Sequence, residues 1–352
     1  MLLHGLVSPK RSRLRGLVAA IVLSATTLAA AIAPAIAQPK YTLTQSERQA
    51  YGGTFGINFS HFDFDRDADN PRCKRYPDYD TPACSCSIDW RKVKESGLSF
   101  AYLKATEGIR RDLSFPRNWD ALLAEHKAER IYRGAYHFLR PDGSAREQAA
   151  TFLQAIGAVN GKRPTQIAPV LDIEWSKAVV ERGSTEETAC PASFKSEERG
   201  VVKCDMWHTR TSQQIVGLVA DWIDIVEKAT GRQVTIYTNK SWWDRVIAGA
   251  GAELMRDQPV WISRYFGTPS GPKFNPDWTA EGGSGQWGMP PLPRGARYPA
   301  RSYTTPHFWQ FAEEARIAEP VYICHGTATA KDAELNWVPA TRTDLDGLFG
   351  AP

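Results

Sequence analysis

The sequence predicts an α/β protein in which strands and helices alternate around a closed barrel of the β/α type. Two observations lead to this fold class. Apolar runs of strand length recur along the chain, and helix-like stretches lie between several of them. A third observation concerns function, because the longest polar stretches follow strands, on the side where barrel enzymes build their sites.

The predicted strands are short runs rich in β-branched and aromatic residues. Seven are expected at residues 54–59, 99–104, 131–138, 167–173, 233–238, 259–265 and 307–311, with an eighth, weaker one at 321–324. Eight strands are the number that closes a barrel of this type.

The helices are predicted from apolar residues at helical spacing and from signals at the helix ends. Ser144 followed by Glu147 forms a capping-box pattern, and Gly231 ends the clearest amphipathic stretch. After residue 250 the helical signals thin out, so the last part of the barrel is expected to be irregular. The helices are expected at residues 118–129, 144–156 and 211–230.

Three polar stretches interrupt the alternation of strands and helices, at residues 63–87, 176–208 and 267–302. They are interpreted as insertions into a single barrel domain that spans 54–350, with 38–53 as an N-terminal extension. Because all three follow strands, they are placed to shape a site at the carboxyl ends of the strands. The alternative is that they are surface loops without a role in function.

Residues 1–37 have the pattern of a secretory signal peptide. A basic segment from Lys10 to Arg15 precedes an apolar run, and Ala35-Ile36-Ala37 fits a cleavage site. The sequence thus predicts a secreted or periplasmic protein, cleaved after Ala37 and without stable membrane insertion. An uncleaved anchor is the alternative, because the apolar run is nearly long enough to span a bilayer.

The predicted mature chain is close to neutral. The whole chain carries 43 Lys and Arg against 39 Asp and Glu, and residues 1–37 hold four of the basic residues and no acidic ones. Since no basic run is present, nucleic acid is not an expected partner. The chain is expected to be a monomer.

Six cysteines in an exported protein suggest disulfides. Cys190 is expected to pair with Cys204 across a loop, and the pairing of the others stays open. No spacing of histidines and cysteines fits a metal site, and no cofactor is predicted. His137 is interpreted as a packed, hydrogen-bonded side chain.

The segment APVLDIEW, residues 168–175, ends an apolar strand with two carboxylates, Asp172 and Glu174. Two residues apart, they lie on the same face of the strand. Such a pair suits glycoside hydrolysis, in which one carboxyl protonates the leaving oxygen and the other stabilises charge. Like charge and partial burial are expected to raise the pKa of one of them. The alternative is that both acids face water or pair with arginine.

Aromatic side chains gather near the predicted strand ends, as in sites where sugar rings stack. Core packing is the alternative for each of them. The candidates for substrate binding are Tyr136, Tyr237, Trp261, Tyr265 and Trp309.

Seven short motifs follow one another along the chain. They are GINFSHFD (56–63), IDWRKVKESGLSFAYLKATEG (88–108), GAYHF (134–138), PVLDIE (169–174), IYTN (236–239), PVWISRY (259–265) and FWQF (308–311). In this order they resemble the glycoside hydrolase family 25 lysozymes, the Chalaropsis-type N-acetylmuramidases, over residues 55–349. Most of the motifs are weak singly, and their order makes the resemblance specific.

The resemblance implies an irregular TIM-like barrel of the (β/α)5(β)3 type. It also implies cleavage of the β-1,4 bond between N-acetylmuramic acid and N-acetylglucosamine in peptidoglycan glycan strands. Glu174 falls on the family's general acid. Asp172 falls on the residue thought to orient the substrate acetamido group, whose carbonyl then acts as the nucleophile. Glu107 and Tyr136 fall on pocket positions, with Tyr237 beside them.

Two positions depart from the family's pattern. Asn58 stands where the first strand usually has Asp, so shape is kept but a charge is lost. Asp63 or Asp65 is a candidate to replace that charge. Glu334 stands where the family commonly has Asp, which lengthens the side chain. Both altered positions, Asn58 and Glu334, are expected to contact substrate, and Asn58→Asp is expected to raise turnover if the missing charge limits the rate.

These observations favour a secreted peptidoglycan hydrolase of the muramidase type. Two other functions remain open. The first is a weak or non-catalytic glycan-binding protein on the same barrel, which Asn58 favours. The second is a barrel hydrolase that acts on another acetamido sugar polymer.

Overall fold

The described part of the chain forms a closed barrel with helices and an inserted sheet around it. In this computed structural model the described residues are 41–42, 53–63, 87–112, 114–129, 131–158, 167–198, 200–263, 308–316, 321–324, 327–329 and 332–338. The predicted leader, the insertion at 267–302 and nearly all of that at 63–87 lie outside these ranges. None of the described helices combines the length and the apolar character that a membrane span requires.

Eight strands, numbered here in chain order, close the barrel. Consecutive strands from the first to the seventh pair in parallel. The eighth pairs antiparallel with both the seventh and the first, which completes the closure. The strands are β1 (Thr54–Phe59), β2 (Phe100–Glu107), β3 (Tyr132–Phe138), β4 (Val170–Asp172), β5 (Thr235–Asn239), β6 (Val260–Ser263), β7 (Phe308–Arg316) and β8 (Asp332–Val338).

The prediction for the eighth strand was wrong. Residues Tyr322–Cys324 form a strand, but it pairs with Thr327–Thr329 and Ser87–Ile88 in a small sheet outside the barrel. The closing strand is β8, whose sequence DAELNWV alternates polar and apolar residues. Its inward face is polar because it forms part of the cavity described below, and an apolar run is therefore a poor signal for it.

The helices lie between strands in the order expected for five β/α units followed by three strands. The three predicted helices are confirmed. Ser144 and Thr211 are N-cap residues that form capping boxes, and Gly157 and Gly231 end the same two helices at positive φ. Among the described residues no helix follows β6. The helices are α1 (Trp90–Glu95), α2 (Phe115–Glu129), α3 (Ala145–Ile156), α4 (Thr185–Ala189), α5 (Ser212–Thr230), α6 (Lys240–Val246) and α7 (Ala252–Asp257).

Two apolar layers hold the barrel together. The larger layer lies outside the strands, where residues such as Leu171 and Ile173 pack against the helices. The smaller one fills the barrel with aromatic rings, and Tyr102 lies at its centre against Trp261 and Phe308. Burying a large aromatic side chain contributes roughly 2–3 kcal/mol. This aromatic plug closes the barrel interior below the polar residues at the strand ends.

Two glycines make room for the plug. A Cβ at Gly134 would lie 2.2 Å from the Tyr102 ring, and one at Gly56 would lie 2.2 Å from the Phe100 ring. Since real Cβ atoms do not approach other atoms so closely, the aromatic rings pass over strand backbone that carries no side chain.

The insertion at 176–208 folds as a three-stranded antiparallel sheet beside the end of β4. Its strands are Lys177–Val179, Lys195–Glu198 and Val201–Asp205. The predicted pairing of Cys190 with Cys204 is present, with 6.1 Å between the Cα atoms. Cys73, Cys84 and Cys86 lie outside the described residues, as does the side chain of Cys324. The disulfide ties the helix α4 to the last strand of the insertion.

Candidate active site

Side chains alternate between the two faces of the chain along β4 and just beyond it, and this alternation directs the carboxyl groups of Asp172 and Glu174 into the barrel. Leu171 and Ile173 belong to the outer apolar layer, whereas Val170 belongs to the inner one. Asp172 and Glu174 continue the inward series, and both line the same cavity. The segment that ends β4 thus presents its acids at the carboxyl ends of the parallel strands.

The cavity has a volume of about 250 Å³ and sits directly above the aromatic plug. Seven of the eight barrel strands, or the residues that directly follow them, contribute side chains to it. Its acidic residues exceed its basic ones, since four carboxyl groups face one lysine. The lining residues are Asn58, Ser60, Asp63, Lys104, Tyr136, Phe138, Val170, Asp172, Glu174, Tyr237, Trp261 and Glu334.

Asp172 is a buried carboxyl group, only 6% exposed. Its Oδ1 atom has no hydrogen-bond partner among the described residues. Burial and then the negative charge of Glu174 raise the pKa of Asp172 well above its ordinary value, although Lys104 acts in the opposite direction. The sequence predicted that at least one member of the pair would have a raised pKa, and Asp172 has this property.

Glu174 is half-buried at the mouth of the cavity. The Trp207 indole N–H donates to the Glu174 backbone carbonyl at 2.8 Å. Two residues further on, the Ser176 backbone N–H donates to Asp205 at 3.0 Å. The backbone that carries Glu174 is therefore fastened to the insertion, which fixes where its side chain enters the cavity.

The remaining polar floor is a hydrogen-bonded group of side chains from four strands. Asn58 on β1 donates to the Glu334 carboxylate on β8. Gln310 on β7 donates to Asn58 at 3.2 Å and to Glu334 at 3.0 Å, and it accepts from the Tyr237 hydroxyl at 2.6 Å. Asn336 donates to Asn58 at 2.6 Å. The two positions that depart from the family's pattern are thus direct neighbours.

Lys104 is a buried cation on β2 and is 5% exposed in its side chain. Its ammonium group donates to Glu107 at 2.5 Å, and Arg140 approaches the same carboxylate at 3.5 Å. Burial acts to raise the pKa of Glu107, but these cations more than offset it, so that its pKa lies below the ordinary value. Glu107, a predicted substrate-binding residue, does not line the cavity and contacts Lys104 instead.

Tyr136 and Trp261 are the predicted aromatic residues that line the cavity together with Tyr237. Burial and then the Glu334 and Asp172 charges raise the pKa of Tyr136 well above its ordinary value, so its hydroxyl keeps its proton. The Trp261 indole N–H is buried and has no hydrogen-bond partner among the described residues. The cavity therefore offers hydroxyl and indole donors beside its carboxylates.

One predicted aromatic residue, Trp309, does not reach this cavity. Trp309 is 1% exposed and points outward, where it belongs to the outer apolar layer and packs against Phe311. The assignment of Trp309 to substrate binding is therefore not supported by its position. Tyr265 lies outside the described residues, and so does Asp65.

Several cavity residues were not predicted from the sequence. Lys104 interrupts an apolar strand with a charge, a signal that could have identified it. Gln310 does not line the cavity but hydrogen-bonds to three residues that do, and as a polar residue in FWQF it could have been found in the same way. Ser60 donates to Asp63 through its backbone N–H at 2.6 Å and its hydroxyl at 2.9 Å, and this turn brings Asp63 to the cavity wall. Asp63 was considered only as a substitute for the missing charge at residue 58.

His137 and the cysteine pair belong to the surrounding framework. The Thr106 hydroxyl donates to His137 Nδ1 at 2.7 Å, and His137 Nε2 lies 3.2 Å from Gln148 Oε1. Burial lowers the pKa of His137 to about 3, so the ring is neutral and packed as the sequence predicted. Cys190, Cys204 and His208 also lie close together, but the disulfide removes both thiols as metal ligands.

A closed barrel with paired carboxylates at the carboxyl ends of its strands is the arrangement of a barrel hydrolase acting on glycosidic bonds. Residues 80–320 match the sequence profile described as glycosyl hydrolases family 25. Because this match covers more than half of the chain, the chain belongs to glycosyl hydrolase family 25.

Two curated relatives show the same relationship at low identity. Lysozyme M1 of Streptomyces globisporus is 28% identical over 195 residues, which is 55% of this chain and 56% of the relative. An uncharacterized protein, YegX, of Escherichia coli strain K12 is 30% identical over 185 residues, which is 51% of this chain and 52% of the relative. The chain thus spans about half the length of the curated relatives it matches.

Two solved structures support the fold. The bacterial lysozyme from Streptomyces coelicolor superposes with a TM-score of 0.52 at 24% identity, covering 85% of this chain and 97% of that chain. A family 25 glycosyl hydrolase from Bacillus anthracis gives a TM-score of 0.50 at 16% identity, covering 89% of this chain and 98% of that chain. At these identities the similarity establishes the barrel, while the chemistry has to be argued from this chain's own residues.

Proposed function

We propose that this protein is a peptidoglycan hydrolase that cleaves the β-1,4 bond between N-acetylmuramic acid and N-acetylglucosamine. The observation that carries the proposal is the buried Asp172 carboxyl group, whose Oδ1 lacks a partner beside Glu174 in an acidic cavity. Burying such a group is unfavourable unless a bound molecule completes its hydrogen bonds. Membership of the family and the likeness to lysozyme M1 support peptidoglycan as the substrate.

In the proposed mechanism Glu174 is the general acid. Its position at the cavity mouth suits a group that meets the glycosidic oxygen, and its proton passes to that oxygen as the bond to the anomeric carbon breaks. The resulting Glu174 carboxylate then takes a proton from the water that attacks in the second step. General acid catalysis of this kind contributes about 10²–10⁴-fold to the rate.

Asp172 acts on the acetamido group of the sugar that is cleaved. Its unpartnered Oδ1 accepts a hydrogen bond from the acetamido N–H, and this contact turns the acetamido carbonyl oxygen towards the anomeric carbon. That oxygen forms the new bond as the old one breaks, and positive charge then spreads onto the acetamido nitrogen. Water attacks the anomeric carbon in the second step and restores the acetamido group.

The raised pKa of Asp172 fits this role. A buried carboxylate close to the charge of Glu334 is unfavourable before the substrate binds. A positive charge that develops on the acetamido nitrogen relieves that repulsion in the transition state, when the reaction needs it. An interaction stronger in the transition state than in the ground state accelerates the chemical step.

Sugar binding is assigned to the other residues of the cavity. Tyr136 and Trp261 offer donors and ring faces, and the floor around Asn58 and Glu334 offers polar contacts. Tyr237 also lines the cavity and is oriented by its hydrogen bond to Gln310. No step of the proposed reaction uses a metal or a cofactor.

The test is incubation of the purified chain with peptidoglycan, followed by mass analysis of the released ends. Loss of turbidity and products with muramic acid at the reducing end would support the proposal. Retention on peptidoglycan without product would indicate a binding protein instead. Products with glucosamine at the reducing end would refute the assigned bond.

A further inference from the structure

Glu334 brings a carboxylate into the cavity floor, and two amide groups lie against it. Asn58 Nδ2 donates to Glu334 Oε2, and Gln310 Nε2 donates to the same oxygen at 3.0 Å. An ionised carboxylate only accepts hydrogen bonds, and charge-assisted bonds of this kind are stronger than neutral ones. Two donors on one oxygen therefore match the ionised form of Glu334.

The orientation of the Asn58 amide is fixed from its other side. Its carbonyl oxygen accepts from Asn336 Nδ2 at 2.6 Å and from Gln310 Nε2 at 3.2 Å. Gln310 is oriented in turn because its own carbonyl oxygen accepts from Tyr237. These contacts leave the NH₂ group of Asn58 facing Glu334, and no other orientation of the amide satisfies the same donors.

We propose that Asn58 and Glu334 act as a coupled pair. Glu334 carries the negative charge of the floor, and Asn58 is a positioning residue whose amide holds the Glu334 carboxylate there. This inference rests on the function proposed above and deepens it, because it states which group carries the floor charge. It also reverses the expectation that Asn58→Asp would raise turnover.

The contact between Asn58 and Glu334 explains why Asn58→Asp is now expected to lower turnover. An aspartate at residue 58 would place a carboxylate oxygen against Glu334 Oε2. Two carboxylates in such contact do not both stay ionised, so either a proton is taken up or the side chains move apart. Both outcomes disturb Gln310, and through it Tyr237. The charge of Glu334 also contributes to the raised pKa of Asp172, after burial and the charge of Glu174. A displacement of Glu334 would therefore change the pKa of Asp172.

The experiment is a double-mutant cycle with Asn58→Asp, Glu334→Gln and the double variant. In the double variant the amide and the carboxylate exchange places, so one hydrogen bond and one negative charge remain. Asn239→Asp is the matched control. Asn239 caps α6 by accepting from Ser241 and Trp242, and an aspartate keeps that acceptor oxygen.

The proposal predicts strong coupling between the two positions. Asn58→Asp should lower kcat/KM on peptidoglycan at least about tenfold, which corresponds to about 1.4 kcal/mol, and should lower the Tm. Glu334→Gln should lower kcat more than it raises KM. The double variant should recover most of the Tm and exceed both single variants in kcat/KM. Asn239→Asp should stay within about twofold of the parent in kcat/KM, as expected for a substitution without coupling.

Two outcomes would overturn the proposal. One is a higher kcat/KM for Asn58→Asp than for the parent, and the other is additivity of the two substitutions in both Tm and kcat/KM. The Tm measurements in this cycle do not depend on catalysis. A chain that is inactive on peptidoglycan but shows coupled Tm values would refute the proposed function, while the pair itself would stand. An active chain with additive Tm and kcat/KM values would refute the pair alone.

Discussion

Asp172 in the cavity and Asp205 beneath the insertion are both buried carboxyl groups, 6% and 1% exposed, yet their surroundings are opposite. Asp205 Oδ1 accepts from the Ser176 and Trp207 backbone N–H groups, and its Oδ2 accepts from the Trp242 indole at 2.8 Å. Arg245 lies 3.8 Å from Asp205. Asp172 has a like-charged neighbour instead, and one of its oxygens lacks a partner among the described residues.

The difference separates a structural carboxylate from a reactive one. Asp205 is satisfied by donors, so its burial stabilises the junction between the barrel and the insertion. Asp172 is held in a state that protein contacts alone do not satisfy, which lowers stability and leaves it ready to bind a ligand. Proteins keep such unsatisfied groups mainly where function requires them. The following variants test this comparison, from the largest expected effect to the smallest.

Glu174→Gln should remove activity without affecting the fold. The substitution is nearly isosteric and removes only the transferable proton, so turnover should fall by about 10²–10⁴-fold. The Tm and the retention on peptidoglycan should stay close to those of the parent, because the backbone contact to Trp207 does not involve the side chain. Both are measured on the purified chain.

The matched control for this variant is Glu181→Gln, on an exposed part of the insertion. It removes a charge away from the cavity and should change neither turnover nor Tm. A fully active Glu174→Gln variant would show that another group is the acid.

Asp205→Asn should have the opposite effect to Glu174→Gln, because it should affect the stability of the fold. Its new NH₂ group would face donors that now bind a carboxylate oxygen, and Arg245 would lose its nearest described carboxylate. The free energy of unfolding should fall by about 2–4 kcal/mol, as expected when a buried, hydrogen-bonded charge is removed. Denaturant unfolding measures the loss.

Asp221→Asn, on the exposed side of α5, is the control for Asp205→Asn and should change stability by less than about 0.5 kcal/mol. If Asp205→Asn left stability unchanged, the structural role assigned to Asp205 would be wrong.

Removal of the disulfide tests how far this bond stabilises the insertion. Replacing Cys190 and Cys204 with serine opens a loop with a sequence separation of 14. The chain-entropy estimate for a loop of this size is about 3 kcal/mol, and a native disulfide typically contributes about 2–4 kcal/mol. Thermal unfolding should show the loss, and protease cleavage should appear first within residues 176–208. Cleavage that starts in the barrel would contradict this assignment.

Asp172→Asn should slow catalysis and yet stabilise the fold slightly at neutral pH, by about 1 kcal/mol, because it removes an unfavourable buried charge. The sign follows from the raised pKa of Asp172 relative to its ordinary value of 3.8. The folded state binds the proton more tightly than the unfolded state does, so this group's contribution to stability falls as pH rises above about 4.

The Asn variant lacks that titration. Its advantage over the parent should therefore grow from pH 4 to 8, as measured by the difference in unfolding free energy. A constant difference across this range would show that the pKa of Asp172 is not raised.

Strand and helix positions were largely predictable because they depend on local patterns. β1 was placed correctly at both ends, and α3 with its capping box was placed from Ser144 and Glu147 alone. β8 was missed because its inward face is polar, so it lacks the apolar run that revealed the others. Sequence alternation describes two faces of a strand, but it does not say which face meets the cavity. Trp309, which was expected to bind substrate, lies on the outward face of β7.

By itself, the sequence determined the alternation of strands and helices, the disulfide of the insertion and the presence of two carboxylates, two residues apart, at the end of β4. These features are local, because they depend on spacing within a few residues or across one loop. Only the tertiary structure decided that Asp172 is buried with a raised pKa, and that Asn58 meets Glu334. Burial and like-charge contact arise from chain segments far apart in sequence, here 276 residues, which closure of the barrel brings together.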